Sequence, residues 1–469
     1  MTGESVPSPG ALTGVSVTGR RAFALVTWGL SIHVLAIALL YGPLGLPGGL
    51  VRAIAGWKEL ALVVLLATAL WRIGRDRWLN RLAFPDVAAG LLVLWIFTRG
   101  LMEFAHADGG PPAVIFGYGA RDLAQPLLLY AIGRATPAVA DDPVLLRRLT
   151  TIAVLATVIG IIELLLPIEV LVAAGIPRYF TEFLGVPGIT DPYRYNLPHS
   201  YFTDLGATAF RRAGSVFLNG QGLAAALLLL MPAAQIRAMY ATGAKAVASW
   251  GVVGLLWIGL LLSVTRMTTV AVAIESVLLL LLAGRVVAVG ALTTTFTTIA
   301  AAIVIASRDI RLFAWRTLTF DTQSSRSHVA DWQDGLNAMW EHPLGAGLAT
   351  ADITAERFGR TPLAADNLYF KYGVELGVPG LLLFVVFLIG VLAAAVSLSR
   401  RASAGAAGQQ AGLYAAAITV GVIVNGATAV VTNVPFVTYI WGWIAGAIVA
   451  AAALPASQAL EGRSPTAVR

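Results

Sequence analysis

Residues 324–380 read SSRSHVADWQDGLNAMWEHPLGAGLATADITAERFGRTPLAADNLYFKYGVELGVPG, the polar centre of an otherwise apolar chain. The stretch opens with Val329, Trp332, Leu336 and Met339–Trp340 at helical spacing beside Asp331, Asp334 and Asn337. That pattern predicts an amphipathic helix. The chain then turns at His342–Pro343, passes Gly345 and Gly347, and enters a long apolar run through Asp366, Asn367, Tyr369, Glu375 and Gly377. A polar excursion that folds back onto a membrane bundle is where chemistry on a membrane-tethered substrate would sit.

Outward from this stretch the chain is membrane-like. Hydrophobic residues make up 58% and charged residues 12%, with a mean hydropathy of +0.79. Soluble domains carry about 25% charged residues. A span needs about 20 apolar residues, and the runs here are continuous, which excludes the short alternating segments of a β-barrel. The expected fold is therefore an all-α polytopic membrane protein of about twelve helices. The spans are read at 22–42, 59–73, 86–104, 119–136, 149–168, 214–236, 247–265, 267–284, 286–306, 367–398, 411–431 and 436–454. Two long polar segments, 169–213 and 307–366, interrupt them. Residues 1–21 are rich in Pro, Gly and Ser and read as disordered, 22–454 as the membrane domain, and 455–469 as a tail. The first apolar run is too long for a signal peptide and lacks a small-residue cleavage site. With no cysteine, a disulfide framework and thiolate chemistry are excluded.

The net charge is +7, and every basic residue except Lys58, Lys245 and Lys371 is an arginine. With the N-terminus inside, one face collects Arg20, Arg21, Arg72, Arg75, Arg77, Arg81, Arg134, Arg147, Arg148, Arg237, Lys245, Arg285, Arg400, Arg401, Arg463 and Arg469. The short loops of the other face hold only Arg52, Lys58 and Arg121. The asymmetry predicts cytoplasmic termini, with both long segments outside and able to build one site together.

Ionisable groups inside spans are costly and are functional candidates. Arg266, in SVTRMTTVA, is either an interfacial arginine that snorkels or an anion ligand among Ser263, Thr265, Thr268 and Thr269. Arg211 and Arg212 are either a stop-transfer pair or part of a site that continues through Ser215, Asn219 and Gln221. Arg326 is a solvated charge or a third ligand. Arg99 and Glu103, four apart, are expected to pair with each other. Glu163 and Glu275 are single intramembrane acids that could neutralise a site arginine, and His33 reads as a satisfied core histidine. For proton transfer the outer segments offer His199, Asp204, His328, Asp331, Asp366 and Glu375. Nothing has metal-ligand spacing, and Gly345–Ala346–Gly347 lacks the lysine and strand context of a phosphate loop.

Four segments, in order, resemble the O-antigen ligase and O-antigen polymerase superfamily, bacterial membrane glycosyltransferases of the GT-C type. RRAGSVFLNGQGLAA is similar to that family's Arg–Gly–x–hydrophobic–x–Asn helix start, and SVTRMTTVA to its Ser/Thr–Arg–small element. RSHVADWQDGLNAMWEHPLGAGLATA resembles its Arg–x5–Trp helix followed by Pro–Leu–Gly–x–Gly, and DNLYFKYGVELGVPG its His–Asn–x–Tyr element. One position departs: Asp366 stands where ligases have a histidine implicated in catalysis, which shifts weight towards a polymerase or another branch.

The resemblance implies transfer or polymerisation of a glycan from a polyprenyl-diphosphate donor at the outer face of the bacterial cytoplasmic membrane. It implies no metal or other cofactor. Arg212 and Arg266 would hold the diphosphate with Arg326 third. Asp366 would act as base or acceptor-orienting group. Arg211, Arg121, Asn367, Tyr369 and Trp332 would line the substrate site. Implied partners are the lipid-linked donor, a glycan or lipid acceptor, membrane lipids and a polysaccharide-export or chain-length protein, with no nucleic acid. The competing readings are a transporter or lipid-linked oligosaccharide flippase, a cell-shape peptidoglycan polymerase, which shares the broad architecture, and a non-catalytic scaffold in an export complex.

Overall fold

The computed structural model describes residues 9–75, 82–106, 113–186, 188–190, 194–205, 208–285, 311–312, 315–316, 319, 323–364 and 366–454. The protein is an all-α polytopic membrane protein. Its first helices are α1 (Pro9–Tyr41), α2 (Gly48–Ala55), α3 (Trp57–Arg75), α4 (Phe84–His106), α5 (Ala113–Arg134) and α6 (Leu145–Leu165). Two short helices, α7 (Ile168–Ala173) and α8 (Ile176–Arg178), lead to an antiparallel hairpin. Its strands β1 (Phe202–Leu205) and β2 (Thr208–Arg211) pair with Phe202 opposite Arg211. Then come α9 (Gly220–Tyr240), α10 (Gly243–Leu262), α11 (Arg266–Leu282), α12 (Gln323–Glu341), α13 (Asp352–Arg357), α14 (Leu368–Arg400), α15 (Gly405–Asn425) and α16 (Pro435–Ala453).

Among the described residues, nine helical segments are long and apolar enough to cross a membrane. The spans expected at 119–136 and 267–284 also form helices, α5 and α11. Arg121, Asp122 and Arg134 dilute the apolar content of α5, and α11 has 17 residues. The span expected at 286–306 and the tail at 455–469 lie outside the described residues. Helix α1 already begins at Pro9, inside the stretch expected to be disordered, with proline at a position that tolerates it. Helices α9 and α16 are buried almost throughout and form the bundle centre. Polar side chains join helices there: Thr268 Oγ1 donates to Asn425 at 3.1 Å, and Gln235 Nε2 to Ser276 at 2.6 Å. His33 is satisfied by Trp57 Nε1 at 3.1 Å, as expected of a core histidine.

The run expected as one continuous span at 367–398 is broken. Inside α14, Gly377 has φ 73° and ψ −175°, and Pro379 follows. Two half-helices result, and the break releases backbone groups that must find partners inside the protein. Trp95 Nε1 donates to Leu376 O at 2.7 Å and Ala346 N to Val374 O at 2.7 Å. Pro343 O accepts from Val378 N at 2.9 Å. The loop that plugs the break is therefore the Pro343–Gly347 turn from the polar stretch. Only glycine fits the contact, because a side-chain carbon on Gly377 would lie 2.3 Å from Pro343 O and one on Gly345 2.5 Å from Glu375 O.

At 33 residues, α14 is about 50 Å long, against about 30 Å of hydrocarbon core. The charged groups around its first half-helix, Arg99, Glu103, Asp122, Asp352, Lys371 and Glu375, lie on the Asp366 side of the break. This is the charged end of the bundle. On the helices away from it, Arg134 makes a bidentate, buried pair with Asp86, both contacts 2.8 Å, and Tyr130 Oη also donates to Asp86 at 2.6 Å. Removing one partner of a buried pair strands a charge at about 3–5 kcal/mol, whereas replacing both with apolar residues is closer to neutral. Asp86→Ala is expected to lose stability of that order in detergent-induced unfolding, and Asp86→Leu with Arg134→Leu much less. Equal losses would show that the pair is not buried as described.

Candidate active site

The hairpin carries Arg211 and Arg212 to the charged end, where Arg212 N donates to Tyr201 O at 2.8 Å. The two arginines then diverge. Arg211 turns one guanidinium nitrogen onto the last carbonyls of α6, 2.6 Å from Glu163 O, 2.8 Å from Leu164 O and 2.7 Å from Leu166 O. Helix ends leave such carbonyls without intrahelical partners, so this nitrogen of Arg211 caps α6. Arg212 turns the other way. Its Nε donates to Ser263 O at 2.8 Å and an η nitrogen to Thr265 Oγ1 at 2.7 Å. Both acceptors are neutral. Burial, and then the neighbouring Arg266, lower the Arg212 guanidinium to about 10. Two like charges are thus brought close together, and arginine's planar fork suits anionic ligands.

Backbone geometry points the same way. Asn219 caps α9 by accepting from Gly222 N, and Arg266 opens α11 directly after Thr265. The two helix starts touch where Thr265 Oγ1 meets Gly220 O at 3.3 Å. Helix N-termini carry partial positive charge and favour anions. Neither intramembrane acid neutralises this pair. Glu163 accepts instead from Gly214 N at 2.9 Å and Ser215 N at 2.5 Å, holding the loop below Arg212. Glu275 is fully buried, and no described residue donates to either of its oxygens. It lies about 13 Å along α11 from Arg266 at 1.5 Å per residue.

The second half of the site comes from the polar stretch. Asn367 caps α14, accepting from Tyr369 N at 2.9 Å and Phe370 N at 3.0 Å, while its Nδ2 donates to Ala427 O at 2.7 Å. Tyr369 Oη donates to Ile423 O at 2.7 Å. The Asn367 and Tyr369 side chains therefore fasten α14 to the end of α15. That same end carries Asn425, bonded to Thr268 two residues after Arg266. Through α15 the arginine half and the Asp366 half become neighbours.

Asp366 precedes this cap with φ 37°, a left-handed conformation that aspartate tolerates better than most residues. Part of its surface is exposed. The protein packed around the carboxyl, and then nearby Asp352, raise it above the usual carboxylate range; His328 acts in the opposite direction. Asp352 has φ 62° and is held by Lys371 Nζ at 3.0 Å and by Asn433 Nδ2. Backbone bonds Asp352 N to Ala364 O at 2.7 Å and Leu363 N to Thr350 O at 2.9 Å return the chain to Asp366.

Other expectations change in the structure. Arg99 and Glu103 do not pair with each other. Arg99 donates to Gly345 O at 2.6 Å, and Glu103 accepts from Leu348 N at 2.7 Å, so both grip the turn that plugs α14. Glu375, a proton-transfer candidate in the sequence, is buried and accepts from Ala349 N at 3.2 Å and Ala351 N at 3.3 Å, which holds the segment after the turn. Arg121 is engaged with Asp122 at 2.6 Å and lies over the Tyr118 ring at 4.7 Å. Trp332 and Arg326 lie on the exposed side of α12. The side chain of Asp204 lies outside the described residues. The buried Lys371–Asp352–Asn433 group is the component that sequence reasoning missed. Its signal was a lone lysine inside an apolar helix.

The fold and site define a polytopic membrane protein with two neighbouring arginines near a carboxylate cluster. Residues 251–385 match the family model described as O-antigen ligase, which supports the resemblance to the O-antigen ligase and polymerase superfamily and a membrane glycosyltransferase-type activity. The match takes in Arg266, Arg326, Asp366, Asn367 and Tyr369 and leaves Arg121, Arg211 and Arg212 outside. No curated protein matches the chain.

A carboxyl raised by its surroundings binds its proton more tightly in the folded state. Ionising Asp366 therefore costs stability as pH rises from the unfolded value of about 3.9 towards the folded one. Asp366→Asn is expected to match or exceed the wild-type thermal midpoint at neutral pH. Infrared titration should place the Asp366 carboxyl above about 3.9. A clearly lower midpoint for the variant would contradict this environment.

Proposed function

We propose that the protein transfers or polymerises glycan from a polyprenyl-diphosphate donor at the charged end of the bundle, on the extracytoplasmic side of the bacterial cytoplasmic membrane. The observation that carries this reading is the Arg212–Arg266 pair set at two helix N-termini. A diphosphate carries charge opposite to that of such a pair, and guanidinium binds its oxygens bidentately. In the reaction the acceptor hydroxyl oxygen bonds to the anomeric carbon while the bond from that carbon to the diphosphate oxygen breaks. The electron pair leaves with the diphosphate, and the hydroxyl proton passes to a base. Arg212 and Arg266 stabilise the charge that develops on the leaving group. They provide this stabilisation without a metal ion. Asp366, across the end of α15, is the base or the group that orients the acceptor. Aspartate at this position favours a polymerase, whose acceptor is a second lipid-linked glycan, over a ligase.

One observation favours the competing transporter reading: the broken α14, a device that transporters use for substrate binding. There, however, the freed backbone groups face a substrate near the membrane midplane. Here they are taken up by Trp95 and the Pro343–Gly347 turn.

The test is purified protein in lipid, given a polyprenyl-diphosphate oligosaccharide in EDTA. Release of polyprenyl diphosphate with longer glycans from donor alone is the expected polymerase result; product only with a second acceptor indicates a ligase. Arg212→Ala and Arg266→Ala should each lower kcat/KM by about 10²–10³-fold, the usual effect of removing one charge-stabilising donor. Turnover of folded Arg266→Ala equal to wild type would remove the site assignment and return weight to the transporter.

A further inference from the structure

Helix α12 has one inward face and the structure marks it cleanly. Between Arg326 and Glu341, the residues that are not exposed are His328, Asp331, Gly335, Ala338 and Met339. They recur at the three-to-four-residue spacing of a single helical stripe. The lower part of the stripe packs on α14. A side-chain carbon on Gly335 would lie 2.8 Å from the Phe370 ring, and one on Gly373 2.6 Å from Met339 Sδ. The two helices therefore run parallel, with Met339 level with Gly373 and Gly335 level with Phe370. One further turn along each brings Asp331 level with the start of α14, and Asp366 lies two residues before that start, next to the cap Asn367. His328 lies one turn beyond Asp331 on the same stripe. The apolar packing ends at Gly335, yet the inward face continues with an imidazole and a carboxylate, both half-buried. The charged groups that reach the Asp366 carboxyl are Asp352 and Glu356 from the α13 side and His328 and Asp331 from α12. His328 is the cation-forming member of that set.

We propose that His328 is the general base of the transfer, with Asp331 and Asp366 as its carboxylate partners. This rests on the glycosyl-transfer reading given above and divides the labour within it. The acceptor hydroxyl bonds through its oxygen to the anomeric carbon, the diphosphate departs with the electron pair, and the hydroxyl proton goes to the imidazole of His328. The imidazolium formed lies one turn beyond two carboxylates that balance its charge, and it loses the proton to solvent before the next cycle. Asp366 orients the acceptor hydroxyl and the imidazole rather than accepting the proton. Imidazole suits the task because it exchanges a proton near neutral pH. Two of the other histidines do not serve here: His33 accepts from Trp57 inside the bundle, and His342 lies at the far end of α12 beside the α14 break.

The experiment uses the full-length protein in lipid nanodiscs with a synthetic polyprenyl-diphosphate oligosaccharide, and it compares wild type, His328→Ala, His328→Gln and Arg266→Ala. His328→Ala should lower kcat by about 10²-fold or more, the usual worth of a positioned base, with donor KM little changed. Imidazole added to the buffer should restore a measurable part of the His328→Ala rate and nothing to Arg266→Ala. His328→Gln keeps the size of the side chain but cannot shuttle a proton at neutral pH, so it should behave as His328→Ala without rescue. It also carries the kcat test if the alanine variant does not fold. Wild-type kcat in either folded His328 variant would overturn the proposal. So would a loss that appears as raised donor KM and does not respond to imidazole, because that marks a packing or binding role. If His328 proves dispensable while Arg266→Ala is inactive, this inference alone fails. If wild type releases no polyprenyl diphosphate, the glycosyl-transfer reading fails and takes this one with it.

Discussion

Gly377 interrupts α14 inside the bundle, and the need to satisfy the backbone freed there organises the site end of the protein. An unanswered N–H or C=O in an apolar interior costs several kcal/mol, so the break persists only because partners are built around it. Trp95 takes one carbonyl, the backbone of Ala346 another, and Pro343 receives the amide of Val378. Arg99 and Glu103, on the same helix as Trp95, grip the turn through Gly345 and Leu348. Glu375 grips its continuation through Ala349 and Ala351. The turn cannot move without stranding these groups, and it is this turn that carries the chain from α12 to Asp352 and on to Asp366.

The charged residues at this end divide into two kinds of work. Arg99, Glu103, Arg211, Glu163 and Glu375 spend their hydrogen-bonding capacity on backbone atoms and fix loops and helix ends. Arg212, beside Arg266, and the cluster around Asp366 are held instead by neutral acceptors or among like charges. A folded protein keeps such unfavourable pairings where a ligand relieves them. Positive charge collects on one side of the end of α15 and negative charge on the other. In the proposed reaction the first side would take the donor diphosphate and the second the acceptor hydroxyl.

Much was legible in the sequence because it depends on composition and spacing alone. Long apolar runs bury themselves in lipid whatever their neighbours, so the expected spans reappear as helices wherever the chain is described. The amphipathic pattern at 329–340 became α12, and the local signals Asn219 and Asn367 became helix caps. The four ordered segments also pointed to the family that residues 251–385 match.

What only the tertiary structure decided is which charge faces which partner. Arg211 and Arg212 are adjacent in sequence, yet one caps α6 and the other meets Thr265, because successive residues at a strand end point to opposite sides. Arg99 and Glu103 have the spacing of an ion pair, but the unsatisfied backbone of a distant turn competes for both and wins. The break in α14 was invisible because hydropathy does not register backbone angles; Gly377 and Pro379 permit the break, and contacts from α4 and the Pro343–Gly347 turn make it stable. In the same way, the identities of His328 and Asp366 were plain from the start. Their placement at one corner follows from the parallel packing of α12 on α14, a contact between residues some 35 positions apart that no local pattern encodes.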